Sequence, residues 1–367
     1  MLFSMTLKYK TLIIKIGTNV LTDDSGFLNQ GKLEEVVSEL VALKKQGVKI
    51  ILVTSGAVGT GRGLFKDYQK IQNRIVARQI LASLGQGSLI SNYSNLFSRA
   101  GVLCSQILVT KEDFRDRRHY LNLRNCLEGS WGLDIIPILN ENDAISVNTI
   151  SFTDNDELAG LVASMLGAEA LIIMTSVDGM YAGNPSDSNS KLITKISFED
   201  DEAKKFITKD KSSLGTGGML SKYKVAKKAA GLGIDTYFLN GLKSGLLTKL
   251  LQGETVGTHF LPKSKISSRK KWLANTSGFE KATIFIDEGA KNALINQKEA
   301  VSLLPVGIQK IEGEFNKSDI LKICDENGIV IGYGLAQYSS HEANKYLKES
   351  NHRPLVHYDY LFLQTEN

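Results

Sequence analysis

Six times in its first two thirds, the chain runs through a short aliphatic and β-branched stretch that stops at a polar turn, often with glycine. These stretches are "TLIIKIG", "VKIILVTSGAVG", "VLCSQILVT", "DIIPILNEND", "EALIIMTSVDG" and "IDTYFLN". Helical stretches stand between them, among them "NQGKLEEVVSELVALKKQG", "DELAGLVASMLG" and "GGMLSKYKVAKKAAGLG". In the first of these, Leu33, Val36, Val37, Leu40 and Leu43 share one face. Asn29 is positioned as its cap and Gly47 as its stop. Strands that are apolar on both faces belong in a parallel sheet covered on each side by helices. Strands alternating with helices of about ten or more residues build right-handed βαβ units. The expected fold is α/β, a three-layer αβα sandwich around a mainly parallel sheet, over residues 1–260.

A chain of 367 residues exceeds what one core organises, so a second domain is expected. The pattern changes at "LPKSKISSRKKW", Leu261–Trp272, which is basic and lacks apolar periodicity. Residues 261–278 are read as a linker, and 279–363 as a small β-rich domain with one early helix and a turn at "DENG". Net charge is +5 without a long basic run, which suits an anionic small substrate as readily as nucleic acid. Cys104, Cys126 and Cys324 are widely spaced and show no CxxC pattern, so they are read as reduced packing residues. No apolar run reaches the roughly 18 residues a membrane span needs, and "MLFSMTLKYK" lacks the layout of a secretion signal. The expected location is cytoplasmic, with Met5 an alternative start.

In an open α/β sheet, ligands bind at the carboxyl ends of the strands. Polar residues and glycines gather at those ends: Lys15 with Gly17, Thr54–Gly59, Asn140–Asp143 and Thr175–Gly179. "TDNDE", Thr153–Glu157, opens a helix, and "SSLGTGGMLSK", Ser212–Lys222, is a glycine loop without the Walker spacing. Each has a plain structural explanation, as a solvated lysine, a βα connection or a helix cap. Together they supply what phosphoryl transfer needs, namely lysines for charge, amides for phosphate oxygens and carboxylates to arrange both. No histidine stands in these clusters. A carboxylate acceptor, with a pKa near 4.3, is already an anion at neutral pH and needs no base.

"KIGTNVLT", "VTSGAVGTG", "LNENDAIS", "FTDNDELAGLVA" and "LGTGGMLSKYKVA", in this order, resemble the glutamate 5-kinases of the amino acid kinase superfamily. The resemblance runs nearly end to end, and the tail is similar to the PUA domain of many bacterial members. It implies ATP-dependent phosphorylation of the side-chain carboxylate of L-glutamate to L-glutamate 5-phosphate, the first step of proline biosynthesis. Carried over by motif, Lys15 and Lys222 would stabilise the transferring phosphoryl group and Asp156 would orient them. Ser55, Gly56, Ala57, Asn140, Asp143 and Asn155 would hold glutamate, Asp143 pairing with its α-ammonium group. Lys15, Thr175, Ser176, Thr216, Gly217, Gly218, Met219, Leu220, Ser221 and Lys222 would contact ATP. Asn19, Ser176 and Tyr358 depart from the family pattern, which more often has serine, aspartate and arginine there.

The same resemblance implies ATP as co-substrate with Mg²⁺ held mainly by phosphates and water, so no protein metal ligand is named. It also implies proline as feedback inhibitor and a homo-oligomer (dimer or tetramer); whether the product passes by transient contact to a glutamate 5-phosphate reductase is left open by the sequence. Two alternatives remain open on sequence. An acetylglutamate or uridylate kinase would share the sheet and the lysines. An RNA-binding protein acting through its PUA-like tail is disfavoured, because the tail lacks a basic and aromatic stripe.

Overall fold

A computed structural model describes residues 7–363 apart from 24, 116, 147–151, 153, 185, 186, 188, 200, 201, 207–217, 264–272, 274–279 and 297–300. The chain divides into two compact units, Met1–Lys265 and Ile266–Asn367.

The first unit is built on β1 (Thr11–Ile16), β2 (Lys49–Val53), β3 (Cys104–Val109), β4 (Ile136–Glu141) and β5 (Ala170–Thr175), joined by β8 (Lys195–Ile196), β9 (Asp235–Asn240) and β10 (Thr258–Phe260). Their order across the sheet is β3-β4-β2-β1-β5-β9-β10-β8. All pairings are parallel except β9 with β10, which run antiparallel. A separate hairpin pairs β6 (Met180–Tyr181) with β7 (Leu192–Ile193). The helices are α1 (Thr18–Leu21), α2 (Gln30–Lys45), α3 (Ala57–Leu64), α4 (Arg74–Arg99), α5 (Glu112–Arg115), α6 (Arg117–Gly132), α7 (Asn155–Leu166), α8 (Met219–Gly231) and α9 (Leu246–Leu251).

Alternation along β1 sorts its residues between two helical layers. Leu12, Ile14 and Ile16 share a core with Leu33, Val36 and Leu40 of α2, Leu89, Tyr93 and Phe97 of α4, and Leu247 and Leu250 of α9. Ile13 is equally buried, and α7, which meets β1 and β5, covers the sheet with its buried Leu158, Ala159 and Val162. The three-layer expectation therefore holds, with β4 and β5 buried along their whole length as a covered parallel strand requires. The edge strand β3 differs: among the described residues it pairs only with β4, and its first five residues are partly buried or exposed, with Val109 alone buried.

Local signals explain where the helices start and stop. Asn29 Oδ1 accepts from the Lys32 amide at 3.0 Å, and Gly47 leaves α2 with φ +84°. Asp154 caps α7, accepting from the amides of Asp156 at 3.0 Å and Glu157 at 3.1 Å. Helices α3 and α4 touch backbone to backbone. A Cβ on Gly61 would lie 1.9 Å from the Leu81 carbonyl oxygen, and one on Gly85 would lie 1.9 Å from that of Ala57.

The second unit holds a five-stranded sheet, β12-β11-β13-β14-β15, from β11 (Ala282–Ile286), β12 (Ile308–Glu312), β13 (Ile320–Cys324), β14 (Val330–Leu335) and β15 (Leu361–Leu363). Its own core includes Ile284, Ile286, Leu321, Ile323, Ile331, Tyr338 and Leu355. Where the sequence pattern predicts one helix, the described residues of this unit form Glu288–Asn296 and also Ser340–Lys345. The second is six residues long, too short to show apolar periodicity, and its signal is the capping box of Ser339 with Glu342. Most of the predicted linker lies outside the described residues.

Candidate active site

Strand order reverses beside β1: β2 follows on one side and β5 on the other, which opens a crevice at their carboxyl ends. Lys15, the penultimate residue of β1, directs its ammonium group there. Its Nζ lies 2.6 Å from Asp156 Oδ1, and Lys222 Nζ lies 2.5 Å from Asp156 Oδ2. One carboxylate thus bridges two lysines contributed by β1 and the first turn of α8. Asp156 is fully buried and Lys15 nearly so, while Lys222 keeps 16% of its side chain exposed. Burial pushes the Lys15 ammonium below its ordinary range, with Asp156 opposing the fall and Lys222 adding to it. For Asp156 burial favours the neutral acid, yet the two lysines outweigh it and hold the carboxyl below the ordinary carboxylate range.

Next to Asp156, the Asn155 carboxamide joins the ends of β2 and β4. Its Nδ2 shares two N–H groups among the Thr54 carbonyl at 2.9 Å, Ser55 Oγ at 3.0 Å and Asn140 Oδ1 at 2.9 Å. Its Oδ1 is buried without a hydrogen-bond partner among the described residues. Gly56, with φ +105°, turns the chain from β2 into α3, so Ser55, Gly56 and Ala57 stand at the mouth of the crevice. Asn140 Nδ2 also donates to Gln86 Oε1 at 2.8 Å, and Asp143 Oδ1 accepts from Arg78 Nη2 at 2.9 Å.

Two acidic residues belong to this framework although the sequence reading gave them no site role. Asp154 Oδ2 accepts from Ser221 Oγ at 2.6 Å, tying the start of α7 to the start of α8. Glu141 Oε1 accepts from Ser146 Oγ at 2.6 Å and from the Phe152 amide at 2.9 Å, and so ties together the two ends of the loop after β4. Burial pushes the Glu141 carboxyl up, against those two hydrogen bonds. Both residues lie inside quoted motifs, "NEND" and "TDNDE", which is the signal that could have found them.

On the other side of β1, Thr175 ends β5 and its Oγ1 donates to the Val177 carbonyl at 2.7 Å. Ser176 is exposed. Asp178 draws the turn after β5 to the loop after β9, accepting from Lys243 Nζ at 2.6 Å and Asn240 Nδ2 at 2.9 Å. Gly218 is the N-cap of α8, followed by Met219, Leu220 and Ser221 in its first turn. Thr216 and Gly217 lie outside the described residues, as does Thr153. His119 is in α6, 3.1 Å from Asp113, and is not among these clusters.

The model of the amino acid kinase family matches residues 10–240, and that of the PUA domain matches residues 282–354. A glutamate 5-kinase of Bacteroides thetaiotaomicron is 43% identical over 98% of this chain and 100% of its own length. One of Chlorobaculum tepidum is 41% identical over 97% of this chain and 98% of its own, and one of Caldanaerobacter subterraneus is 40% identical over 91% and 89%. With the fold, the lysine pair and these relatives in agreement, the chain belongs to the amino acid kinase family, among the glutamate 5-kinases, and carries a PUA domain behind its kinase domain.

Proposed function

We propose that the protein transfers the γ-phosphoryl group of ATP to the side-chain carboxylate of L-glutamate, giving L-glutamate 5-phosphate and ADP, the step that opens proline synthesis. The observation that carries this reading is the buried Asp156 carboxylate held between Lys15 and Lys222 beside an amide-rich acceptor pocket. A carboxylate oxygen of glutamate attacks the γ-phosphorus, and the bond to the bridging oxygen breaks as ADP departs. No proton changes hands, so the absence of a histidine from the converging residues costs the reaction nothing. Lys15 and Lys222 counter the negative charge on the equatorial oxygens and the leaving group, and Asp156 keeps the two ammonium groups from drifting apart.

Ser55, Asn140, Asn155 and the amides of Gly56 and Ala57 hold the acceptor, with Asp143 on its α-ammonium group. Thr175, Ser176 and residues 216–222 contact the nucleotide. Asp156 spends both oxygens on lysines and Asp154 accepts from Ser221 and two amides, so neither is free as a metal ligand; Mg²⁺ would be held chiefly by the nucleotide phosphates and would supply charge neutralisation there. Proline, an α-amino acid without the side-chain carboxylate, competes at the Asp143 end. The same reading extends to a homo-oligomer, dimer or tetramer, and to transient contact with the reductase that consumes the labile acyl phosphate. Among the described residues no helix is long and apolar enough to cross a membrane.

Formation of γ-glutamyl hydroxamate from L-glutamate, ATP, Mg²⁺ and hydroxylamine tests the proposal. Robust product is expected, with loss of about 100-fold or more in Lys222→Ala, the scale set by removing one charge-stabilising group. A clear preference for N-acetylglutamate, whose nitrogen carries no charge for Asp143, would reverse the choice of substrate.

A further inference from the structure

At the outer end of the acceptor side stands an ion pair of which the roles assigned above use only one member. Asp143 follows β4, and Arg78 lies on the second turn of α4. The carboxylate is mostly covered, at 15% side-chain exposure, while the guanidinium at 49% stands at the rim. Helix α4 holds this region twice more: Gln79 Nε2 donates to the carbonyl of Ala144 in the loop after β4 at 2.7 Å, and Gln86 Oε1 accepts from Asn140 Nδ2 near the end of β4 at 2.8 Å. Arg78 is therefore held in register with the acceptor residues by its own helix. Gln86 meets Asn140, Asn140 meets Asn155, and Asn155 adjoins the Asp156 between the lysines. Arg78 lies two helical turns, about 12 Å, before Gln86 along α4. The crevice thus has a reacting end at Asp156 and a zwitterionic end at Asp143 and Arg78.

The acceptor carries the matching charges, an α-ammonium and an α-carboxylate on one carbon. We propose that Arg78 binds the α-carboxylate of the acceptor amino acid while Asp143 takes its α-ammonium group, so that this pair selects α-amino acids over other γ-carboxylates. The inference rests on the glutamate-kinase reading above. A guanidinium presents several N–H donors in a planar fork; one serves Asp143, and the fork suits a second carboxylate beside it. Asp143 Oδ1 accepts from Arg78, and Oδ2 makes no hydrogen bond among the described residues. Side by side, the two charges favour a zwitterion, whereas an acceptor carrying one charge alone leaves its opposite unmatched.

The test compares the full chain with Arg78→Ala and Arg78→Lys on L-glutamate and on 4-aminobutyrate, which is glutamate without its α-carboxylate. Turnover is read as ADP release, and 4-aminobutyrate is also read as a competitive inhibitor. Arg78→Ala is expected to lower kcat/KM for L-glutamate on the order of 10- to 100-fold, mainly through KM, while 4-aminobutyrate changes less than about twofold. Arg78→Lys is expected to recover part of the loss, keeping the charge without the fork. An equal fall for both compounds would mean that Arg78 only braces the loop and would overturn the assignment. So would an unchanged or improved constant for glutamate, which would make Arg78 a mere competitor for Asp143. Failure of the parent protein to phosphorylate L-glutamate at all would instead reject the glutamate-kinase reading.

Discussion

The two lysines and one carboxylate at the reacting end set each other's charge. Burial disfavours both the ammonium of Lys15 and the carboxylate of Asp156, and each opposes the loss of the other's charge. Removing the negative charge in Asp156→Asn leaves two like charges close together and takes away what opposes the fall in the Lys15 pKa. The alkaline limb of the pH–rate profile is expected to move to lower pH, with kcat reduced on the order of 100-fold or more; an unshifted limb would show that Lys15 does not depend on Asp156 for its proton. The sign for stability is separate. Asp156 has a folded pKa below its unfolded value, so its contribution is present above the unfolded value, 3.8, and is lost as pH falls through the lower folded one. Lys15, Asp156 and Lys222 were legible in sequence as members of separate motifs, but nothing in their spacing of 141 and 66 residues states that they meet.

At the scale of elements, the acceptor side depends on how closely α3 and α4 pack. Gly85 faces the Ala57 carbonyl and the Gly61 amide, at 1.9 Å and 2.4 Å from where its Cβ would be. Gly85→Ala must push the helices apart, and α3 begins at the very turn that carries Gly56 and Ala57. Overpacking of this kind costs about 1–3 kcal/mol or more, a fall in Tm on the order of 5 °C. The KM for glutamate is expected to rise several-fold while the KM for ATP stays within twofold; equal changes in both would place the damage in the whole sheet. The six apolar runs and their turns named β1, β2, β3, β4, β5 and β9, because each of these is marked within its own few residues; β8 and β10, two and three residues long, are too short to leave such a run. Arg74–Arg99 gave no comparable warning of its role: Gly85 inside a helix reads locally as a weak point, and only the neighbouring helix shows why no side chain fits.

For the whole molecule, each of the two units encloses its own core. A chain ending at Lys265 is expected to unfold cooperatively and to keep kcat for glutamate within about threefold, measured by calorimetry and hydroxamate formation. A loss of folding would show that the first unit needs the second. The residue pattern by itself determined the covered parallel sheet and the polar residues at its strand ends, since burial, turn chemistry and helix capping are written in local sequence. Only the tertiary structure decided the rest: that α7 delivers Asp156 to lysines from β1 and α8, that Asn155 joins the ends of β2 and β4, and that Arg78 stands beside Asp143. Those contacts depend on strand order and on helix packing, which bring together residues far apart in the chain and leave no mark in the neighbourhood of any one of them.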